Sequence, residues 1–187
     1  MEVKRVLVLK AAAILNNKPT SLLTLDSLIE NDQERVDFDM FYTDFNGLLL
    51  ELIQYTKPFI NENINKFLLD FKTKPIDRII NLYQFYIDEF VNESPCVFTS
   101  SHINLIAYSG NDEVKSAANK LIEPFKNALI NCINDARRQN SINITESNIL
   151  VDYLLMTWEG ALYQQRNSNS SKPLFLYMNL LRFLLGA

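Results

Sequence analysis

Only four glycines and six prolines interrupt the 187 residues of this chain. A sequence so poor in turn formers has few sites for the tight reversals that a many-stranded sheet demands, whereas long helices joined by short connections need few. With 48% apolar residues it can bury a sizeable core, as one large domain or as a small head on a larger body.

Apolar residues recur at three- and four-residue spacing through nine segments, which predicts an all-α chain. Residues 3–16 place Val6, Leu9, Ala13 and Leu15 along a first helix that Pro19 terminates. Thr20 or Ser21 can cap a short second helix carrying Leu22, Leu25, Leu28 and Ile29, and a third spans about 36–42. A long helix follows over about 46–71, with Leu49, Leu52, Ile53, Ile60, Ile64, Phe67 and Leu68 on its apolar face. Pro75 opens the next, where Ile79, Ile80, Tyr83, Phe85, Tyr86 and Phe90 form an aromatic-rich face over 76–91. After a turn at 92–95, a sixth helix ends at Ser109 and Gly110, and a seventh runs from Asp112 to about Gln139 with a kink expected at Pro124. Thr145 to Ser147 open an eighth with Leu150, Leu154, Trp158, Ala161 and Leu162. The ninth begins near Pro173 and carries Leu174, Phe175, Met178, Leu181 and Leu185.

A formal charge of −4 gives no global attraction for a phosphate backbone, so nucleic-acid binding would have to come from a local basic patch. Cys96 and Cys132 have no CxxC or metal-ligand spacing, and His102, the one histidine, cannot complete a zinc site with them. Reduced thiols, no metal and no cofactor are expected. Lys10 breaks the apolar opening that would otherwise read as a secretory leader. No segment reaches the roughly 18 uninterrupted apolar residues of a membrane span, which makes a cytoplasmic chain the expectation and leaves the sequons at Asn143 and Asn169 without weight. No nucleophile and base pair, Gly-rich phosphate loop or HExxH-like motif is present, so an enzyme is not expected.

Three short helices, the second and third set as a helix-turn-helix, ahead of six longer ones resemble the TetR family of regulators. The run Leu9 to Leu15 (LKAAAIL) is similar to that family's first-helix pattern, and Phe41 to Phe45 (FYTDF) to the aromatic signature closing its recognition helix. Ser94 to Phe98 (SPCVF), then an apolar helix and Asn111 to Glu113, resemble the stretches around its sixth helix. The resemblance implies a helix-turn-helix head over 1–47 and a ligand-binding and dimerisation body over 48–187. It further implies a homodimer that binds operator DNA, acts as a repressor and is released by a small apolar effector.

The same resemblance assigns DNA-facing roles to Tyr42, Thr43, Arg35, Lys10 and Lys18, with Arg5 beside them, and sets Asp37, Phe38, Asp39 and Met40 on the recognition surface, although Tyr42 fits better as a ring packed inside the head and a solvated helix face explains Arg5, Lys10 and Lys18 equally well. Two departures oppose DNA binding. Leu48 stands where the family has a phosphate-contacting lysine, and Asp26 to Asp44 hold seven carboxylates against the single base Arg35. The family's glycine between the second and third helices is also missing, so the turn over Asn31 to Val36 is expected to be rebuilt, one or two residues longer. The alternative function is therefore a dimeric TetR-like ligand-binding or protein-interaction module without DNA binding, its acidic surface meeting a basic partner.

For a ligand pocket between the fifth and eighth helices the chain supplies Tyr83, Tyr86, Phe90, Phe98, His102, Ile106, Phe125, Trp158 and Tyr163, apolar walls with a few polar tips. Each can equally be plain core. Cys96 matches a region where some family members place a sensing cysteine, but no neighbouring cation activates it. Leu150, Tyr153, Leu154, Ala161, Phe175, Met178 and Leu181 are the dimer-interface candidates, two helices per chain forming an isologous four-helix bundle.

Overall fold

The computed structural model describes residues 2–17, 23–92, 98–139, 142 and 146–187. Among them there is no strand. The helices are α1 (Glu2–Asn17), α2 (Leu25–Leu28), α3 (Asp32–Phe41), α4 (Phe45–Asn63), α5 (Pro75–Val91), α6 (Ser100–Ser109), α7 (Asp112–Arg138), α8 (Ser147–Ser168) and α9 (Lys172–Leu185), and α4 closes in a π-type turn over Ile64–Leu68. None is long and apolar enough to cross a membrane.

Local chemistry sets the starts. Thr24 and Ser27 exchange capping hydrogen bonds across α2, while the expected caps Thr20 and Ser21 lie outside the described residues. Asn31 accepts from the Glu34 N–H at 3.0 Å and Asp44 from the Gly47 N–H at 3.0 Å, each satisfying an orphan donor of a first turn. That Asn31 cap starts α3 four residues ahead of the position expected from hydrophobic spacing. The turn between α2 and α3 is consequently three residues, Ile29 to Asn31, shorter than the sequence suggested, and it needs no left-handed glycine because none of its described residues has positive φ.

α1 corrects a second expectation. Leu7, Val8, Ala11, Ala12 and Leu15 are buried, whereas Val6 and Leu9 are 56% and 40% exposed and Ala13 is exposed. Positions 7, 8, 11, 12 and 15 share one helical face, and the chosen 6, 9 and 13 lie on its flank. This face packs α1 on α2, α3, α4 and α6.

The long α7 is the axis of the body, in contact with α4, α5, α6 and α8, while α9 lies on α5 and α8. It passes through the exposed Pro124 as one helix. Asn46 accepts from the Asn111 N–H at 2.9 Å, tying the start of α7 to the start of α4 beneath the head. A single cluster of buried apolar residues runs from Leu7 to Leu185, so head and body share a continuous core. Gly110 closes α6 where any Cβ would lie 2.5 Å from Val114, and this close approach, not its dihedrals, demands glycine.

Candidate functional site

In the head, α3 turns Asp32, Gln33, Arg35, Val36, Asp39 and Met40 to solvent, with Asp37 half-buried between them. Phe38 is not on this surface. It is buried against Tyr42, ring centroids 5.3 Å apart, because the small head needs an aromatic core. Tyr42 is likewise buried, and its hydroxyl donates to Glu51 at 2.8 Å. Burial first and the Glu51 carboxylate second hold that phenol far above the ordinary tyrosine range. Lys4 pairs with the same carboxylate and lies over the Tyr42 ring at 5.5 Å.

The cations expected at DNA are mostly engaged within the chain. Lys10 is bound by Glu34 at 2.7 Å and Glu30 at 3.2 Å, a clasp from α1 to the first turn of α3 and to the turn before it. Burial opposes the ammonium, yet the two carboxylates outweigh it and raise its pKa. Arg35 pairs with Asp39 at 3.1 Å. Lys18 lies outside the described residues, Thr43 is exposed, and Arg5 is exposed without an ion pair among the described residues. Leu48 is fully buried, so the family's lysine position is interior in this chain.

In the body, Tyr83, Tyr86, Trp158 and Tyr177 form a packed aromatic cluster. Trp158 lies 5.2 Å from Tyr83, 5.0 Å from Tyr177 and 5.9 Å from Tyr86. The Tyr86 hydroxyl meets Asn63 at 3.4 Å and the Tyr177 hydroxyl donates to the Leu154 carbonyl at 3.3 Å. The Tyr83 hydroxyl and the Trp158 indole N–H find no partner among the described residues. Burial pushes the Tyr83 phenol up to about 12, against a smaller opposing effect of the neighbouring Tyr177 hydroxyl. Phe98, Ile106 and Phe125 are buried in the same core, Phe90 is half-buried, and Tyr163 is on the surface, 56% exposed. Tyr83, Tyr86, Phe90, Phe98, His102 and Trp158 are thus joined through ring contacts, whereas Ile106 and Phe125 are core positions and Tyr163 is on the surface.

His102 links this core to a cleft. Its ring stacks on Phe90 at 6.0 Å, Thr99 N and Oγ1 lie 3.1 Å from Nδ1, and Arg166 approaches Nε2 at 2.7 Å. The Thr99 N–H and the Arg166 guanidinium both only donate, while a neutral ring offers a single acceptor nitrogen, so with Nδ1 accepting from Thr99 in the α6 capping box the guanidinium at Nε2 is left without a full acceptor. Burial, then the Arg166 charge, hold the His102 pKa well below the ordinary histidine range. Beyond Arg166, α6 and α8 enclose about 160 Å³ lined by Ser101, Asn104, Leu105, Tyr108, Glu159, Leu162, Tyr163 and Arg166. Asn104 donates to Glu159, whereas the Ser101 hydroxyl, buried, has no partner among the described residues.

Sequence reasoning missed Ser101, Asn104 and Arg166. Only Ser101, Asn104, Leu105 and Tyr108, spaced as one face of α6, left a readable trace; the meeting of His102 with Arg166 across 64 residues left none. A larger groove of about 700 Å³ lies between α4 and α7, where Pro58 and Pro124 free the carbonyls of Gln54 and Lys120.

The surface of α8 and α9 corrects the interface candidates. Leu150, Leu154, Met178 and Leu181 point into the chain's own core, where no partner can reach them, and Ala161 is half-buried. Tyr153 and Phe175 are exposed as an interface requires. They belong to a stripe unseen in the sequence: Ile149, Tyr153, Met156, Gly160 and Tyr163 along α8, with Phe175, Leu176 and Phe183 on α9. Met156 and Phe183 are 71% and 81% exposed. Cys132 is buried, its Sγ 3.4 Å from the Leu68 carbonyl, and burial pushes its thiol up, away from reactivity. Cys96 lies outside the described residues. Among the described residues no cluster of His, Cys, Asp or Glu could hold a metal ion.

No family model matches the sequence, and no curated relative matches it. Solved structures do. The chain superimposes on the regulatory protein TetR from Rhodobacter sphaeroides with a TM-score of 0.74 at 14% identity, over 96% of this chain and 97% of that one. E. coli NemR in its reduced form gives a TM-score of 0.73 at 15% identity, covering 99% and 97% of the two chains. A protein from Syntrophomonas wolfei described as a TetR-family transcriptional regulator gives 0.61 at 13% identity, covering 100% and 96%. Across nearly its whole length, the chain has the fold of TetR-type regulators.

Proposed function

We propose that the protein is a dimeric, small-molecule-responsive transcriptional regulator of TetR type, acting as a repressor at operator DNA. The observation that carries this reading is the apolar stripe on α8 and α9, joined to the full-length likeness to TetR-type regulators. Eight large or small apolar positions aligned on two adjacent helices form a patch that a lone soluble chain rarely exposes. Gly160 sits within it with nothing inside 4 Å of a built Cβ. A mid-helix glycine costs about 1 kcal/mol relative to alanine, and the opposite helix of a second copy, approaching closely there, gives that cost a purpose. The cleft between α6 and α8, with Leu105 and Leu162 in its wall and polar groups at its ends, suits a small effector.

A second reading has its own observation. With Lys4, Lys10 and Arg35 all neutralised internally and Asp32, Asp37 and Asp39 on the outer side of α3, the head offers phosphate little. On that reading the protein is a ligand-binding or protein-interaction module without an operator. Capture of genomic fragments by the full-length protein at about 50 mM salt separates the two. A regulator enriches a few fragments sharing a two-fold symmetric motif. Enrichment no better than that of an acidic control protein leaves the module.

A further inference from the structure

Arg166 is the least explained charge in the molecule. It is a half-buried guanidinium whose only polar contact among the described residues is the ring of a neutral histidine, and it has no carboxylate partner there. A cation withdrawn from water in this way is destabilising unless an anion completes it. Desolvation accordingly lowers its pKa. Ser101, more than nine-tenths buried, lines the same cleft with its hydroxyl unsatisfied. α6 and α8 run antiparallel here, since His102 meets Arg166 while Asn104 meets Glu159, so Ser101 stands at the Arg166 end. Two vacant donors therefore converge at one end of a cleft whose middle is Leu105 and Leu162.

We propose that the α6–α8 cleft binds a small monocarboxylate with a single ring, its carboxylate held by Arg166 and Ser101 and its ring against Leu105, Leu162 and Tyr163. The proposal rests on the small-molecule reading above and names its ligand class. A carboxylate accepts from a guanidinium and a hydroxyl together, and these charge-assisted bonds are the strong ones. His102 is a positioning residue: its ring edge lies against the guanidinium at the cleft end without neutralising it. The space of about 160 Å³ equals roughly five water volumes, which suits one ring and excludes large polycyclic effectors. Glu159 is the one acidic group lining the cleft. It lies two helical turns from Arg166, roughly 10 Å along α8, and is occupied by the Asn104 amide. A ring hydroxyl pointing to that far end would find an acceptor, so 4-hydroxybenzoate is expected to bind more tightly than benzoate.

The test is titration of the full-length protein, without DNA, by calorimetry and by the fluorescence of its single tryptophan, Trp158, with benzoate, 4-hydroxybenzoate and the neutral isostere benzamide. Benzoate is expected to bind at least about tenfold more tightly than benzamide, the loss typical of a missing charged hydrogen-bond partner. Arg166→Gln is expected to erase that preference. Ser101→Ala, which removes an unsatisfied hydroxyl and leaves the fold alone, is expected to weaken benzoate several-fold and benzamide little. Equal affinity for benzoate and benzamide overturns the proposal. So does benzoate binding unchanged in Ser101→Ala and in a folded Arg166→Gln, which would move the site elsewhere while leaving a small-molecule regulator intact. Failure to capture DNA defeats the regulator and leaves this cleft standing.

Discussion

The cations of the head and Arg166 of the body are placed in opposite ways. In the head, Lys4, Lys10 and Arg35 each meet a carboxylate of the same chain, and Arg5 alone of the described cations in α1 to α3 stands unpaired on the surface. In the body Arg78, Lys115, Lys126 and Arg138 also meet carboxylates, but Arg166 is drawn out of solvent against a histidine with no carboxylate partner among the described residues. Charge already satisfied inside a chain must be released before a phosphate can use it, whereas a buried charge left uncompensated is poised for an anion. The two regions also differ in what supports them. The head relies on caps and clasps around helices of four and ten residues, while the body has helices of 17, 27 and 22 residues packed around rings.

The largest effect is expected from the body's outer face. Met156→Glu combined with Phe183→Glu should convert the proposed dimer to monomer across micromolar concentrations in sedimentation velocity, because two charges from each protomer would be buried unpaired. A dimer that survives both would remove the α8 and α9 face from the account. Next comes Gly110→Ala, where the new methyl meets Val114 at 2.5 Å. Forced overpacking of this kind costs about 1–3 kcal/mol, measurable by urea unfolding, and an unchanged midpoint would show that the α6–α7 corner yields freely.

The third prediction isolates His102. Its folded pKa lies below the ordinary value, so the ring stays neutral in the fold while the unfolded chain takes up a proton. Its contribution to stability is therefore complete above about pH 6.5 and is lost as pH falls beneath it, at up to about 1.4 kcal/mol per pH unit. As this is the only histidine, His102→Asn should flatten the stability profile between pH 6.5 and about 5.5. A profile equally steep in the variant would assign the loss to carboxylates instead. The smallest effect is expected in the head. Asp39→Asn frees Arg35 and removes one repulsion, and since an exposed pair is worth under about 1 kcal/mol, affinity for DNA at low salt should rise by no more than a few-fold. A fall would mean that Asp39 reads a base.

Much of the architecture was legible because long helices announce themselves by spacing and punctuation, as Pro75, Gly110 and the aromatic face of α5 illustrate. The start of α3 was not, because Asn31 capped a helix whose first turn is polar and carries no apolar signal. Faces were harder than lengths. On α8 the buried row of Leu150, Leu154 and Trp158 and the exposed row of Ile149, Tyr153, Met156 and Tyr163 are both apolar, so periodicity names two stripes without saying which faces inward. Motif position sets Phe38 on the surface and leaves Tyr42 open between a DNA contact and a packed ring, and both are buried because a three-helix head has few other rings to fill its core. The Arg166 cleft depends on a contact between distant helices, which no local pattern encodes.

The most direct measurement is the salt dependence of binding to a DNA fragment captured by the full-length protein. With Arg5 as the unpaired cation of each described head, log K against log salt should be shallow, a slope between about −2 and −4. A slope of about −8 or steeper would show that the Lys4, Lys10 and Arg35 pairs open onto phosphate, contradicting a head whose charges are spent within the chain.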